Sequence, residues 1–110
     1  MNTRLSYLYR DSCNYKKFNE VIIAGIIEKA QLNPWLEDNV YFIPSEVGLK
    51  DLHDNPWTIY DHTWHEFRWV ELTEDTPTVE IDAEQFIKSF IEASRNDWNV
   101  MEHLKHLDCL

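Results

Sequence analysis

Two apolar stretches near the N-terminus have the length and residue types of β-strands. Residues 5–9 are aromatic and aliphatic and end at the polar residues 10–14, which indicate a turn. Residues 18–25 contain β-branched side chains and close on a glycine. Because the connection is short, the two strands are predicted to pair antiparallel as a hairpin.

The middle of the chain predicts a short helix and two further strands. Residues 26–36 have helical spacing that Pro34 must end or interrupt, and the apolar residues 40–43 suit a short buried strand stopped by Pro44. Residues 58–72 alternate most clearly. One face of that strand carries Thr63, His65, Phe67 and Trp69, and the other carries Trp64, Glu66, Arg68, Val70 and Leu72. Since both faces hold large apolar groups, this strand is expected to be central or to meet a partner.

The C-terminal third predicts helices. Residues 78–81 suit a short edge strand, after which Asp82 is placed to cap a helix with Gln85 completing a capping box. The apolar stripe of this helix is Phe86, Ile87, Phe90, Ile91 and Ala93. Asp97 is expected to cap a second helix whose stripe is Val100, Met101, Leu104 and Leu107. The order predicts an α+β fold in one domain over residues 1–110, an antiparallel sheet of about four strands covered by one or two C-terminal helices.

Composition agrees with a folded chain, since 44% of the 110 residues are hydrophobic and 14% are aromatic. No apolar run approaches the roughly 18–20 residues that cross a bilayer. The N-terminus lacks a signal-peptide pattern, and Cys13 and Cys109 are too far apart in sequence to suggest a disulfide framework. These features predict a cytoplasmic protein without a membrane partner.

Charge is unevenly distributed along the chain. The net charge is −10, but residues 1–30 hold five basic and three acidic residues, while residues 31–110 hold five basic and seventeen acidic ones. An acidic body repels nucleic acid and attracts basic surfaces, so a basic protein partner is expected and direct nucleic-acid binding is not. Simple solubility is the alternative explanation of this charge.

Catalytic motifs are absent from the sequence. Two glycines in the whole chain exclude a phosphate-binding loop, and no nucleophile signature surrounds Cys13 or any serine. His53, His62 and His65 offer a weaker metal-site alternative, although His62 and His65 point to opposite faces of a regular strand and no H-E-x-x-H or C-x-x-C occurs. The sequence therefore predicts a protein that is not an enzyme and needs no cofactor.

Five tryptophans in a chain of this length also require explanation. Trp35 and Trp57 each stand beside a proline in polar sequence, where tryptophan is either an interface anchor or a seal at the end of a sheet. The sequence leaves both roles open.

Three segments resemble a family of small, uncharacterised bacterial and phage proteins carried by mobile elements. They are Tyr7-Leu8-Tyr9-Arg10-Asp11 with Asn14-Tyr15-Lys16, then Tyr41-Phe42-Ile43-Pro44 with Val47-Gly48-Leu49, and Asp61-His62 with Trp64-His65-Glu66. The resemblance covers roughly residues 5–92. This chain departs from the family pattern in residues 26–39, which are fewer here, and in the predicted helical tail after Trp98. It implies no catalytic residue, and the host would be bacterial.

The resemblance implies inhibition of host defence, because small acidic proteins of mobile elements often block CRISPR effectors or restriction enzymes. Carboxylates that mimic DNA phosphates would carry this binding. A first group of candidates is Glu71, Glu74, Asp75, Glu80, Asp82 and Glu84, and a second is Asp51, Asp54 and Asp61. The alternative is an immunity- or antitoxin-like interaction module, or a homodimer, that binds through an aromatic surface in which Trp35, Trp57 or Trp69 carries the affinity.

Overall fold

The computed structural model describes residues 1–52 and 62–99, and in that part the chain forms one four-stranded antiparallel sheet. The strands are β1 (Asn2–Arg10), β2 (Lys16–Ala24), β3 (Tyr41–Phe42) and β4 (His65–Thr73), in the spatial order β2-β1-β4-β3. The described α-helices are α1 (Lys29–Leu32) and α2 (Ala83–Arg95). The predicted α+β class, with a C-terminal helix and a sheet of about four strands, is confirmed.

The N-terminal hairpin is confirmed, with β1 and β2 paired from Asn2 with Ala24 to Arg10 with Lys16. Its turn is held by Asp11, whose carboxylate accepts the backbone N–H groups of Cys13 and Tyr15 at 2.9 Å each. Asn14 takes the left-handed conformation, with φ 67°, which asparagine tolerates better than most residues.

The predicted helix over residues 26–36 is shorter than its pattern. The α-helix ends at Leu32, and Asn33–Trp35 continues as a 3₁₀ turn with Pro34 near its start. Proline lacks the N–H that an α-helix would use, which explains the change. The predicted strand over 40–43 is limited to Tyr41–Phe42, because Pro44 begins another 3₁₀ turn, Pro44–Val47.

A β-bulge changes the predicted facing of β4. Tyr7 pairs with Phe67 but Ser6 pairs with Trp69, so the register shifts at Arg68. An extra residue reverses the alternation beyond it. His65 and Phe67 share one face, as predicted, and that face meets the core. Val70 takes the place predicted for Trp69 on it, opposite the buried Leu5. The prediction that Trp69 shares a face with Phe67 was therefore wrong, and Trp69 lies on the outer face of the sheet.

The predicted edge strand over residues 78–81 is not formed. This segment crosses from the end of β4 to the free edge of β2 and meets it at separate points. The Thr78 N–H donates to the Ile22 carbonyl at 2.9 Å, the Ile22 N–H donates to the Thr78 hydroxyl at 2.9 Å, and Asp82 bridges to Ala24. After this crossing the chain enters α2.

Helix α2 covers one face of the sheet. Asp82 caps it as predicted, its carboxylate accepting the Gln85 N–H at 2.8 Å, and such caps contribute about 1 kcal/mol. The predicted capping box is not completed, because the Gln85 side chain donates to the Ser89 hydroxyl at 3.2 Å instead. Three residues of the predicted stripe are buried in the core, Phe86, Phe90 and Ala93, and Ala83 joins them. Ile87 is only partly buried against the core, and Ile91 lies outside the core cluster. None of the helices in the two described ranges is long and apolar enough to cross a membrane.

Asp97 does not begin a second helix in the predicted way. Its φ is 51°, whereas helix-capping residues are extended, and Asp97–Asn99 form a single left-handed turn. This turn buries the Trp98 side chain, which is 1% exposed and meets the Phe90 ring edge-on at 5.0 Å. The remaining residues of the predicted helix, 100–110, lie outside the described residues.

Tyr7 gives the core a pH-sensitive contact. Its hydroxyl donates to the Lys50 carbonyl at 2.7 Å and accepts from the Asn19 amide at 3.1 Å, and burial is the main cause that raises the pKa of Tyr7 above 10. A raised pKa means that the folded protein holds this proton more tightly than the unfolded chain. The stabilisation is therefore complete below pH 10 and is lost as pH rises through the folded-state pKa.

We expect Tyr7→Phe to flatten the fall in the free energy of unfolding above pH 10, at a cost of about 1 kcal/mol at neutral pH from the lost hydrogen bonds. Urea unfolding at several pH values measures both effects. Tyr15→Phe is the control, because the Tyr15 side chain is 74% exposed. A Tyr7→Phe profile that falls in parallel with the wild-type profile would contradict the assignment.

Candidate functional site

The first group of acidic candidates is gathered at one end of the sheet. Thr73 pairs with Asn2 at the end of β4, and the Asn2 amide donates to the Asp75 carbonyl at 2.9 Å. The crossing segment then reaches β2 near Ile22, and α2 begins at the same end beside Ala24. We call this surface the carboxylate end and define it by Glu71, Glu74, Asp75, Glu80, Asp82 and Glu84.

Arg4 lies between two of these carboxylates. Its guanidinium donates to the Glu71 carboxylate at 2.9 Å and also to the Asp75 carboxylate. The hydrogen bond with Glu71, helped by the negative charges of Asp75 and Glu20, raises the pKa of Arg4. Glu71 and Asp75 remain 51% and 60% exposed, so the ion pairs are at the surface and are worth little to stability. Arg4, Glu71 and Asp75 together carry one net negative charge.

The other members of the carboxylate end divide into two roles. Asp82 uses one carboxylate oxygen to cap α2. Glu74, Glu80 and Glu84 are exposed, and Glu84 lies in the first turn of α2, where negative charge is favoured by the helix dipole. The exposed glutamates are therefore the members best placed to meet a partner.

The described part of the chain does not bring the second acidic group together, because it contains only Asp51 of the three residues. The Asp51 carboxylate accepts the Ser45 N–H at 3.2 Å and is partly buried, which gives it a role within a loop. Asp54 and Asp61 lie outside the described residues, as does Trp57. Trp35 is partly buried, packs against the core and has the Arg95 guanidinium 5.6 Å from its ring centre. These contacts attach one side of the Trp35 ring to the folded domain, and its role as an interface anchor or as a seal stays a prediction.

The histidines do not form a metal site in the described residues. His65 is fully buried, and its two ring nitrogens meet the Leu52 N–H at 2.9 Å and the Thr63 carbonyl at 3.1 Å. His62 contacts the Arg10 carbonyl and the Trp64 N–H. His53 lies outside the described part, within which no three His, Cys, Asp or Glu side chains converge as metal ligands would. Protein groups already use the nitrogens of both described histidines.

A pocket of about 390 Å³ lies at the opposite end of β4. We call it the acidic pocket. Among the described residues, three carboxylates line it with one guanidinium, one imidazole and two large aromatic rings, from Arg10, Glu37, Asp38, Tyr41, His62, Trp64 and Glu66. Glu66 and the carboxylate end are separated by five to seven residues of β4, or about 20 Å at 3.3 Å per residue.

Local hydrogen bonds hold the walls of the acidic pocket. The Arg10 side chain donates to the two oxygens of Glu66, at 2.8 and 3.4 Å, and to the Asn14 side chain at 2.7 Å. The His62 Nδ1 accepts from the Trp64 N–H at 3.1 Å while Nε2 lies 2.7 Å from the Arg10 carbonyl, an arrangement that fits the neutral ring with its hydrogen on Nε2.

A tight turn supplies the opposite wall. Glu37 and Tyr41 exchange backbone hydrogen bonds at 2.8 Å each, and Asp38 and Asn39 between them are left-handed, with φ 50° and 62°. Of the residues that line this pocket, the sequence indicates His62 as a candidate metal ligand and assigns no functional role to Glu37, Asp38 or Tyr41. The Asp-Asn pair before an apolar run was the available signal, because these residues favour left-handed turns.

Comparisons with protein-family models, with curated proteins and with solved structures found no match. The geometry of the carboxylate end and of the acidic pocket therefore carries the functional argument.

Proposed function

We propose that the protein is an inhibitor of host defence that binds a basic, nucleic-acid-handling protein, in the manner of an anti-CRISPR or antirestriction protein. The supporting observation is the carboxylate end, where β4, the crossing segment and α2 bring six acidic residues to one end of the sheet. The cytoplasm of a bacterial host is the compartment in which such a partner acts.

The ion pairs of Arg4 indicate how this surface would recognise its partner. One guanidinium is reached by Glu71 and Asp75 together, so carboxylates here already converge on an arginine. The lysine and arginine groups that take DNA phosphates need the same charge-assisted hydrogen bonds. Exposed glutamates beside this pair extend the negative surface toward a partner.

The field of the chain supports the same class of partner. A net charge of −10 steers the protein toward basic surfaces and away from nucleic acid and anionic membrane. Binding of this type is fast and weakens as salt screens the charges. A protein that covers a nucleic-acid channel inhibits by occupancy and needs no catalytic residue.

Protection of incoming DNA in cells tests the proposal. Bacteria that carry a defined restriction or CRISPR system are infected with a sensitive phage, with and without expression of this protein. We expect plating to rise by at least tenfold against at least one system and to remain unchanged in cells that lack it. Unchanged plating across representatives of the major restriction and CRISPR classes would contradict the proposal.

A further inference from the structure

The acidic pocket differs from the carboxylate end in shape and in chemistry. It is concave, and its volume of about 390 Å³ lies within the usual range of small-ligand sites. Its lining combines carboxylates with the Tyr41 and Trp64 rings, whereas the carboxylate end presents exposed acidic groups on the end of β4, on the crossing segment and at the start of α2. A concave pocket with such a lining can distinguish ligands by shape as well as by charge, whereas an exposed charged surface distinguishes them mainly by charge.

Charge sets the sign of the ligand. Arg10 is committed to Glu66 through two hydrogen bonds, so this pair contributes no net charge to the pocket. Among the described lining residues, Glu37 and Asp38 then leave two negative charges, and both side chains are exposed. A cation is the complementary occupant.

The aromatic rings define the type of cation. Tyr41 and Trp64 line the same pocket, and the faces of such rings attract a cation by about 0.5–2 kcal/mol. A guanidinium group is planar, stacks on aromatic rings and donates two parallel hydrogen bonds to a carboxylate, which an ammonium group cannot do. Carboxylates at the rim of an aromatic pocket therefore favour arginine over lysine.

The pocket is also formed before any ligand enters. Backbone hydrogen bonds close the Glu37–Tyr41 turn, and hydrogen bonds fix the Arg10, Glu66 and His62 side chains. Preformed walls reduce the ordering cost of binding. The geometry points to the acidic pocket as a binding site for the side chain of an arginine residue presented by a protein partner. The identity of that partner rests on the proposed function, but the chemistry of the pocket does not.

Titration with a small arginine probe tests the site without a partner. Nα-acetyl-arginine N-methylamide is added to the ¹⁵N-labelled protein, and the matched neutral probe is Nα-acetyl-citrulline N-methylamide. We expect saturable shifts at Tyr41, His62 and the Trp64 indole, with a dissociation constant on the order of 1 mM (about −4 kcal/mol), and at least tenfold weaker binding of citrulline. The lysine probe should bind more weakly than arginine.

Two conservative variants test the carboxylates. Glu37→Gln and Asp38→Asn remove charge while keeping shape, and asparagine tolerates the left-handed conformation of residue 38. Each should weaken arginine binding at least threefold with an unchanged melting temperature, and Glu92→Gln on α2 should leave it unchanged. Any one of four results would overturn the assignment. They are equal binding of the citrulline probe, tighter binding of the lysine probe, no saturable shift with the arginine probe, and unchanged arginine binding in the two variants.

The outcome is separable from that of the plating experiment. Arginine binding without protection of phage would support the arginine site and contradict the proposed function. Protection of phage without arginine binding would support the proposed function and contradict the arginine site.

Discussion

Replacing Trp98 with alanine is expected to lower the free energy of unfolding by about 3–5 kcal/mol, the range for truncating a buried tryptophan. The Trp98 side chain is 1% exposed and is among the largest fully buried side chains of the described residues. It lies edge-on to Phe90 at 5.0 Å and to Trp64 at 6.3 Å. Alanine would leave a cavity beside the Phe90 and Trp64 rings.

Trp69→Ala is the matched control, because it deletes the same atoms from a different environment. Trp69 lies on the outer face of the sheet, opposite Ser6, where no described helix covers it. We expect it to cost less than half as much as Trp98→Ala in denaturant unfolding followed by circular dichroism. Equal losses, or a larger loss for Trp69→Ala, would contradict the burial of Trp98 and the reversal of β4 at Arg68.

The second large effect is expected from charge reversal at the carboxylate end. Glu74→Lys and Glu80→Lys should each weaken binding to the defence partner about tenfold (1.4 kcal/mol), because each replaces an attraction for a basic surface by a repulsion. Both side chains are exposed, so neither change removes a buried contact. Calorimetry at low salt, on the effector that the plating experiment identifies, measures the loss.

Glu92→Lys controls for net charge. It changes the total by the same two units, but Glu92 is eight residues beyond Glu84 along α2, or about 12 Å from the nearest member of the carboxylate end. It should weaken binding less than threefold. Asp75 is unsuitable for this comparison, since its reversal would also break its contact with Arg4. Equal losses for all three variants would indicate a general charge effect and contradict a located surface.

Much of the fold was predictable because its determinants are local. Residue types located β1 and β2, alternation located β4, and the spacing of Asp82 and Gln85 marked the start of α2. The facing of Trp69 was not predictable, because the bulge at Arg68 depends on pairing with β1, which is distant in sequence. The left-handed turn at Asp97 was missed for a similar reason: burial of Trp98 overrides the capping preference of aspartate.

The candidate site depended on long-range geometry in the same way. The acidic residues were visible in the sequence, but their gathering at one end follows from the crossing of the chain from β4 to the edge of β2. The acidic pocket joins Arg10, Glu37 and Glu66, which come from three separate parts of the chain. No spacing within one segment could have indicated it.

Competition with nucleic acid on the purified effector is the most direct test of the proposed inhibition. A labelled nucleic acid is bound to the effector, and its release by this protein is followed by fluorescence anisotropy at increasing salt. We expect stoichiometric release, with no complex that holds both ligands, and an inhibitor affinity that falls steeply as salt rises. A stable ternary complex, or an affinity independent of salt, would contradict the claim that the carboxylate end occupies the phosphate-binding groups of the partner.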